Sequence, residues 1–254
     1  MTNKYNLIQS LDNLDIFDAE KYNALNIGIN IDKVSDTNLL DGDWKSFVNE
    51  CVVKLKDFNQ TISVHGAAFD LNPGSPDKRV VELTKFRYKQ CIYIANMINA
   101  SFVVFHSQFN PWIRDQKVQD IKIDRQVDFW NELANEAGDK LTLLVENVYE
   151  NNSSNLLSLI QKVNSPKVQV CFDTGHALLT SELEHWIKKL GEHIKLVHLH
   201  WNDRTYDAHQ PPDEGALKYF NKLISDYNIN PVIELEYKIE DIETEIKRVR
   251  TYLT

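Results

Sequence analysis

Apolar and polar positions follow two rhythms along this chain. Short runs rich in Val, Ile, Leu and Phe suit strands, and they cover residues 5–11, 25–31, 61–66, 102–107, 141–148, 168–172, 194–201 and 231–237. Between them lie amphipathic stretches with apolar residues at helical spacing. One covers 44–58 and carries Trp44, Phe47, Val48, Cys51, Val52, Leu55 and Phe58; another covers 239–253 with Ile242, Ile246, Val249 and Leu253. Ser75-Pro76-Asp77-Lys78 predicts a helix start, with Ser75 as N-cap and Pro76 at the first helical position. Ser153-Ser154 and Ser181-Glu182 offer similar caps. Eight strands alternating with eight helices predict an α/β chain folded as one (β/α)8 barrel domain over residues 1–254, with a doubly wound open sheet as the alternative.

The ends of the strand-like runs favour the barrel. Six runs close on a metal-ligand residue type: His65, His106, Glu146, Asp173, His200 and Glu236. These are poor strand residues, and their charges are costly to bury without a partner or a metal. A closed parallel barrel converges its strand ends on one face, where such side chains can share a cation. An open sheet gives no reason for six endings around one point. The stretches 72–75, 108–124 and 202–215 read as loops on that face, shaping a substrate pocket.

Taken singly, His65 and His106 also suit hydrogen-bonded core positions. Glu146 closes Leu143-Leu144-Val145 and needs a cation, yet no basic residue lies within the predicted strands. Asp173 ends its strand and His176 follows one turn on, so both can face one point. Gly175 lets that turn bend tightly. His198 shares a face with His200 but sits two residues deeper, which suits a core or supporting role. Glu234 and Glu236 share a face too. Glu236 is nearer the strand's end, and Glu234 needs a partner such as His198. Asp207-Ala208-His209 is a pair in a polar loop.

Composition narrows the partners. The net charge of -9 disfavours nucleic acid and anionic membranes. Cys51, Cys91 and Cys171 are widely spaced and read as reduced thiols of a cytoplasmic protein. No signal sequence and no apolar run of about 20 residues is present, so no membrane segment is expected. A ligand set of His, Asp and Glu without thiolate suits Zn2+ or Mn2+.

VHGAAFDLNPGSPD, VVFHS, LLVENV, CFDTGHA, LHWND followed by DAH, and VIELE resemble, in order, the motifs of the xylose isomerase-like superfamily of barrels. That superfamily joins sugar-phosphate isomerases and epimerases with the apurinic endonuclease IV family. The endonuclease branch implies up to three metals: His65 and His106 with a bridging Glu146; Glu146, Asp173, His200 and Glu236; and His176, Asp207 and His209. The isomerase branch implies one metal at Glu146, Asp173, His200 and Glu236. There Glu146 and Glu236 exchange a proton through a metal-stabilised enediolate of a small sugar or sugar phosphate, and His176 orients or protonates a substrate oxygen. The expected activity is the isomerase or epimerase. Multi-metal phosphoester hydrolysis and a non-catalytic binding barrel are the alternatives.

Overall fold

A computed structural model describes residues 4–253. Eight strands close into one all-parallel barrel in chain order. They are β1 (Leu7–Leu11), β2 (Ile27–Ile31), β3 (Ile62–His65), β4 (Phe102–His106), β5 (Thr142–Glu146), β6 (Val168–Asp173), β7 (Ile194–Leu199) and β8 (Val232–Leu235). The helices are α1 (Ala19–Leu25), α2 (Thr37–Asp41), α3 (Trp44–Lys54), α4 (Lys78–Met97), α5 (Gln116–Glu136), α6 (Ser154–Val163), α7 (Thr174–Leu178), α8 (Leu183–Leu190), α9 (Glu214–Asp226) and α10 (Ile242–Tyr252). None is long and apolar enough to cross a membrane.

Strand residues alternate between two cores. Outward residues such as Val103, Phe105, Leu143, Val145, Val170 and Phe172 pack against the helices. Inward residues Ile8, Val104, Leu144, Cys171 and Leu196 fill the barrel interior as a separate apolar cluster. Burying each such aliphatic side chain stabilises the fold by about 1.5–3 kcal/mol. The interior is tight: a Cβ at Gly28 would lie 2.2 Å from Thr61 O and 2.5 Å from Ile8 Cγ2. Two residues further along each strand, the inward positions turn polar. That step carries His106, Glu146, Asp173 and His198 past Val104, Leu144, Cys171 and Leu196, and His65 ends β3 beside them, in register with Val104.

Aspartates start most of the helices. Asp18, Asp36, Asp43, Asp77, Asp115, Asp173, Asp213 and Asp241 each accept a backbone N–H in the first turn. This corrects the expected start of α4. Asp77 caps Arg79 N at 2.8 Å, while Ser75 Oγ accepts from Asp77 N in the turn before. Ser153 occupies the N-cap of α6 but makes no side-chain cap bond, and Glu182, not Ser181, precedes α8. The stretch 108–124 is not wholly loop either, because α5 begins at Gln116. Its first turns leave Val118 and Ile121 exposed, which hides the apolar stripe formed later by Ile123, Phe129, Trp130 and Leu133. Two short helices, α2 and α7, raise the total above the expected eight.

Candidate metal centre

Nine side chains gather at the C-terminal mouth of the barrel: His65, His106, Glu146, Asp173, His176, His200, Asp207, His209 and Glu236. Glu146 stands at the centre, buried at the end of β5. Its Oε2 is 3.5 Å from both His65 Nε2 and His106 Nε2, and its Oε1 is 3.5 Å from His176 Nδ1. Asp173 Oδ2 lies 3.0 Å from His200 Nε2, and His200 Nε2 lies 3.9 Å from Glu236 Oε2. Asp207 Oδ2 is 3.2 Å from His176 Nε2 and 2.9 Å from His209 Nε2. Five triplets have ligand atoms within 4.8 Å of one another, among them His65–His106–Glu146, His176–Asp207–His209 and Glu146–Asp173–His176.

Backbone geometry sets these positions. His209 adopts a left-handed φ of 44°, and its Nδ1 lies 3.0 Å from Glu236 O. Its ring stacks on that of His200, 4.0 Å between centroids and 4° from parallel. A Cβ at Gly175 would fall 1.9 Å from His200 Cε1, so only glycine leaves room for that imidazole. Asn147 fixes the end of β6: its Nδ2 donates to Asp173 O, and its Oδ1 accepts from Asp173 N.

His198 and Glu234 lie deeper. His198 Nε2 faces Glu234 Oε2 at 3.4 Å. His198 Nδ1 faces Glu236 Oε2 at 3.1 Å and Glu146 Oε1 at 3.3 Å. His198 therefore forms the floor of the centre, joining both glutamates, a closer place than a purely supporting role implies.

Electrostatics demand positive charge here. Among the described residues, no Lys or Arg pairs with Glu146, Asp173, Asp207, Glu234 or Glu236; every ion-pair partner of these acids is a histidine. Burial opposes ionisation of Glu146, but His198 and His106 hold its carboxyl well below the usual range. Burial likewise opposes ionisation of Glu236, yet His198 brings it down to about 2. At Glu234 burial prevails and pushes the carboxyl up to about 7. His65 and His106 both face Glu146 but shift oppositely. Burial opposes charge on each; at His65 the Glu146 carboxylate prevails, raising it to about 9, whereas His106 falls to about 4.

A divalent cation fits this donor set. Buried Glu146 Oε2, Glu236 Oε2, Asp207 Oδ1, His106 Nδ1 and His200 Nδ1 lack hydrogen-bond partners, which is costly unless something positive or donating meets them. Ligands at ~2.0–2.2 Å around a tetrahedral ion stand about 3.4 Å from one another. The observed separations of 2.9–3.9 Å bracket that value.

One acid here escapes a reading of the sequence. Asp32 follows β2 and lines the mouth beside Ser10, His209 and Glu236. It accepts from Ser10 Oγ and from Asn30 Nδ2, and burial pushes it up to about 6. Its signal is the same as the others: Ile27-Gly28-Ile29-Asn30-Ile31 closes on an acid.

Comparisons with known proteins place this architecture. An uncharacterized protein of Methanocaldococcus jannaschii, MJ1311, is 27% identical over 216 residues, covering 80% of this chain and 73% of its own. Among solved structures, a D-tagatose 3-epimerase-like protein superposes with a TM-score of 0.76 at 22% identity, covering 98% of this chain and 97% of its own. The TTHB071 protein from Thermus thermophilus, soaked with ZnCl2, gives 0.74 at 21% identity, with the same coverage of both chains. At such identities the structural likeness establishes the fold. A family model described as xylose isomerase-like TIM barrel matches residues 26–253, and the chain belongs to that family.

Proposed function

We propose that this barrel is a metal-dependent isomerase or epimerase of a small sugar, polyol or sugar phosphate, working in the cytoplasm. The observation that carries the reading is the pairing of Glu146 and Glu236. Both carboxylates are held ionised and meet one imidazole nitrogen, His198 Nδ1, at 3.3 and 3.1 Å. Two poised carboxylates flanking one point suit removal of a proton from carbon and its return. Glu146, Asp173, His200 and Glu236 would hold Zn2+ or Mn2+. When bound, that ion supplies a Lewis acid for a substrate carbonyl and its neighbouring hydroxyl. His176, charged by Asp173 and Asp207 against the opposition of burial, donates a hydrogen bond to a substrate oxygen. The epimerase-like structural neighbour supports the class.

Deuterium uptake tests this. Metal-loaded protein incubated with a panel of ketopentoses, ketohexoses and their phosphate esters in D2O is expected to exchange hydrogen beside the carbonyl, with the exchange lost in Glu146→Gln and Glu236→Gln. No exchange across the panel overturns the reading.

A second reading has its own observation. His65–His106–Glu146 and His176–Asp207–His209 form two further ligand triplets, of which a single-metal isomerase leaves His65, His106, Asp207 and His209 unused. They suit a multi-metal phosphoester hydrolase, which activates water on one ion while others hold the phosphate. Two or three metals per chain, with hydrolysis of a phosphodiester, would favour it.

A further inference from the structure

A second cavity opens beside the metal centre, on the side of β3, β4 and β5. It encloses about 380 Å³ and is lined by Asn72, Gln108, Asn110, Trp112, Lys122 and Tyr149. That volume takes one end of a small ligand. Gln108 follows His106 by two residues and Tyr149 follows Glu146 by three, so about 7 and 11 Å of chain link these walls to the centre.

The chemistry of the lining is directional. Asn72 Oδ1 accepts from Gly74 N, and Asn110 Oδ1 accepts from Trp112 N. Both amides thereby keep their Nδ2 donors for something else. Gln108 is turned away, its Nε2 donating to Ala68 O at 2.6 Å. Lys122, half-buried on α5, has no acidic partner and no side-chain hydrogen bond among the described residues. Lys85, Lys89 and Lys162 on the same side of the barrel each pair with a carboxylate, whereas Lys122 is partly buried in the cavity wall without one. Burial and the neighbouring Arg125 both disfavour charge on Lys122, so an anion beside it would be stabilising where a cation would not.

Barrels commonly bind phosphate on the loops after strands 7 and 8. That option is poor here. Arg204 in the loop after β7 is exposed and paired with Glu182 at 3.0 Å. The cavity between β8 and β1, about 500 Å³, sets three acids, Asp12, Asp32 and Glu236, against Lys238 and His209, a balance that does not favour an anion.

We infer that the cavity around Lys122 is a subsite for a phosphate monoester, carried at the far end of a substrate whose carbonyl end lies at the metal centre. Lys122 Nζ, Asn72 Nδ2 and Asn110 Nδ2 donate to the phosphate oxygens, and Trp112 and Tyr149 wall the connecting carbons. The sugar half of the inference rests on the proposed isomerase reading, which it narrows from free sugars to sugar phosphates.

Calorimetry on metal-loaded protein tests it, with D-fructose 6-phosphate and D-fructose as probes. The phosphate ester is expected to bind about tenfold tighter or better, a gain suited to charge-assisted hydrogen bonds. In Lys122→Met that preference should fall below about threefold, with the melting temperature unchanged. Equal affinity in the unaltered protein, no binding of the ester, or a preference that survives Lys122→Met each overturns the subsite. Deuterium exchange reports the isomerase reading separately. Lys122-dependent binding of the ester without exchange would sink that reading and leave the subsite standing.

Discussion

Asp173 divides its two oxygens between the fold and the site. Oδ1 accepts from His176 N at 2.7 Å and caps α7, while Oδ2 faces His200 Nε2 at 3.0 Å and His176 Nδ1 at 3.5 Å. One carboxylate thus starts the helix that carries His176 and aims its charge at the same point. The Asn147 side chain clamps it on both sides of its peptide. Capping and charge are separable here, because an amide caps as well as an acid but carries no charge.

Asp173→Asn is therefore expected to keep the cap and lose the metal. Apo protein should melt within about 1 kcal/mol of the unaltered chain, since Asn and Asp cap equally. Metal content by elemental analysis should fall to a small fraction. Asp173→Ala should lose both, costing about 0.5–2 kcal/mol more in the apo form. An Asn variant that retains full metal would show that Asp173 only caps.

Glu146→Gln tests the central carboxylate. The amide keeps the shape but removes the charge that His65, His106, His176 and His198 face. Circular dichroism should be unchanged, and turnover should drop by about 10²–10⁴, the range of a lost acid–base group. Near-normal turnover would exclude Glu146 from proton transfer.

The strand ends are legible because burial forces the issue locally. Leu143-Leu144-Val145 followed by Glu146 places a charge at the end of an apolar run, and the period of two then says which way it points. Asp32 carries the same signal in a fainter form, since a glycine interrupts its run and a 3-10 turn follows directly. Asp207 and His209 have no periodic context at all. Their place depends on a left-handed residue and on Glu236 O, 27 residues away. The start of α5 is hidden for the opposite reason: its first turns face solvent, so no apolar stripe announces them.

Gly175→Ala should act through His200. The added carbon would overlap the imidazole at 1.9 Å, and the helix backbone cannot yield. Overpacking of this kind costs about 1–3 kcal/mol. The expected result is a lower melting temperature together with weakened metal binding. A variant with full stability would mean that His200 moves freely, contrary to its stacking on His209.

Chelation should destabilise the protein while leaving it folded. Glu146 and Asp173 are buried and Glu236 partly so, with only histidines to balance them. A metal that binds only the folded state adds about 2.7 kcal/mol at a hundredfold excess over its dissociation constant. Melting curves with EDTA, and with graded Zn2+ or Mn2+, should shift by a concentration-dependent amount. Identical curves in both conditions would argue against any tight site.

The last expectation concerns DNA. Binding a duplex requires several unpaired Lys or Arg on one face to release counterions. The net charge is -9, and the mouth offers little to reverse it. Arg204 is paired with Glu182, and Asp12 and Asp32 line the cavity between β8 and β1. Lys78, Arg79, Arg114, Lys117 and Lys122 are spread over separate loops and helix starts among acidic neighbours, too scattered to track a backbone. Metal-loaded protein is thus expected to leave an abasic-site duplex intact at physiological salt, with Zn2+ or Mn2+ supplied. Incision that disappears in His65→Ala and His209→Ala would reverse this ranking. A single-metal isomerase gives those two residues no role, so their requirement would identify the multi-metal hydrolase directly.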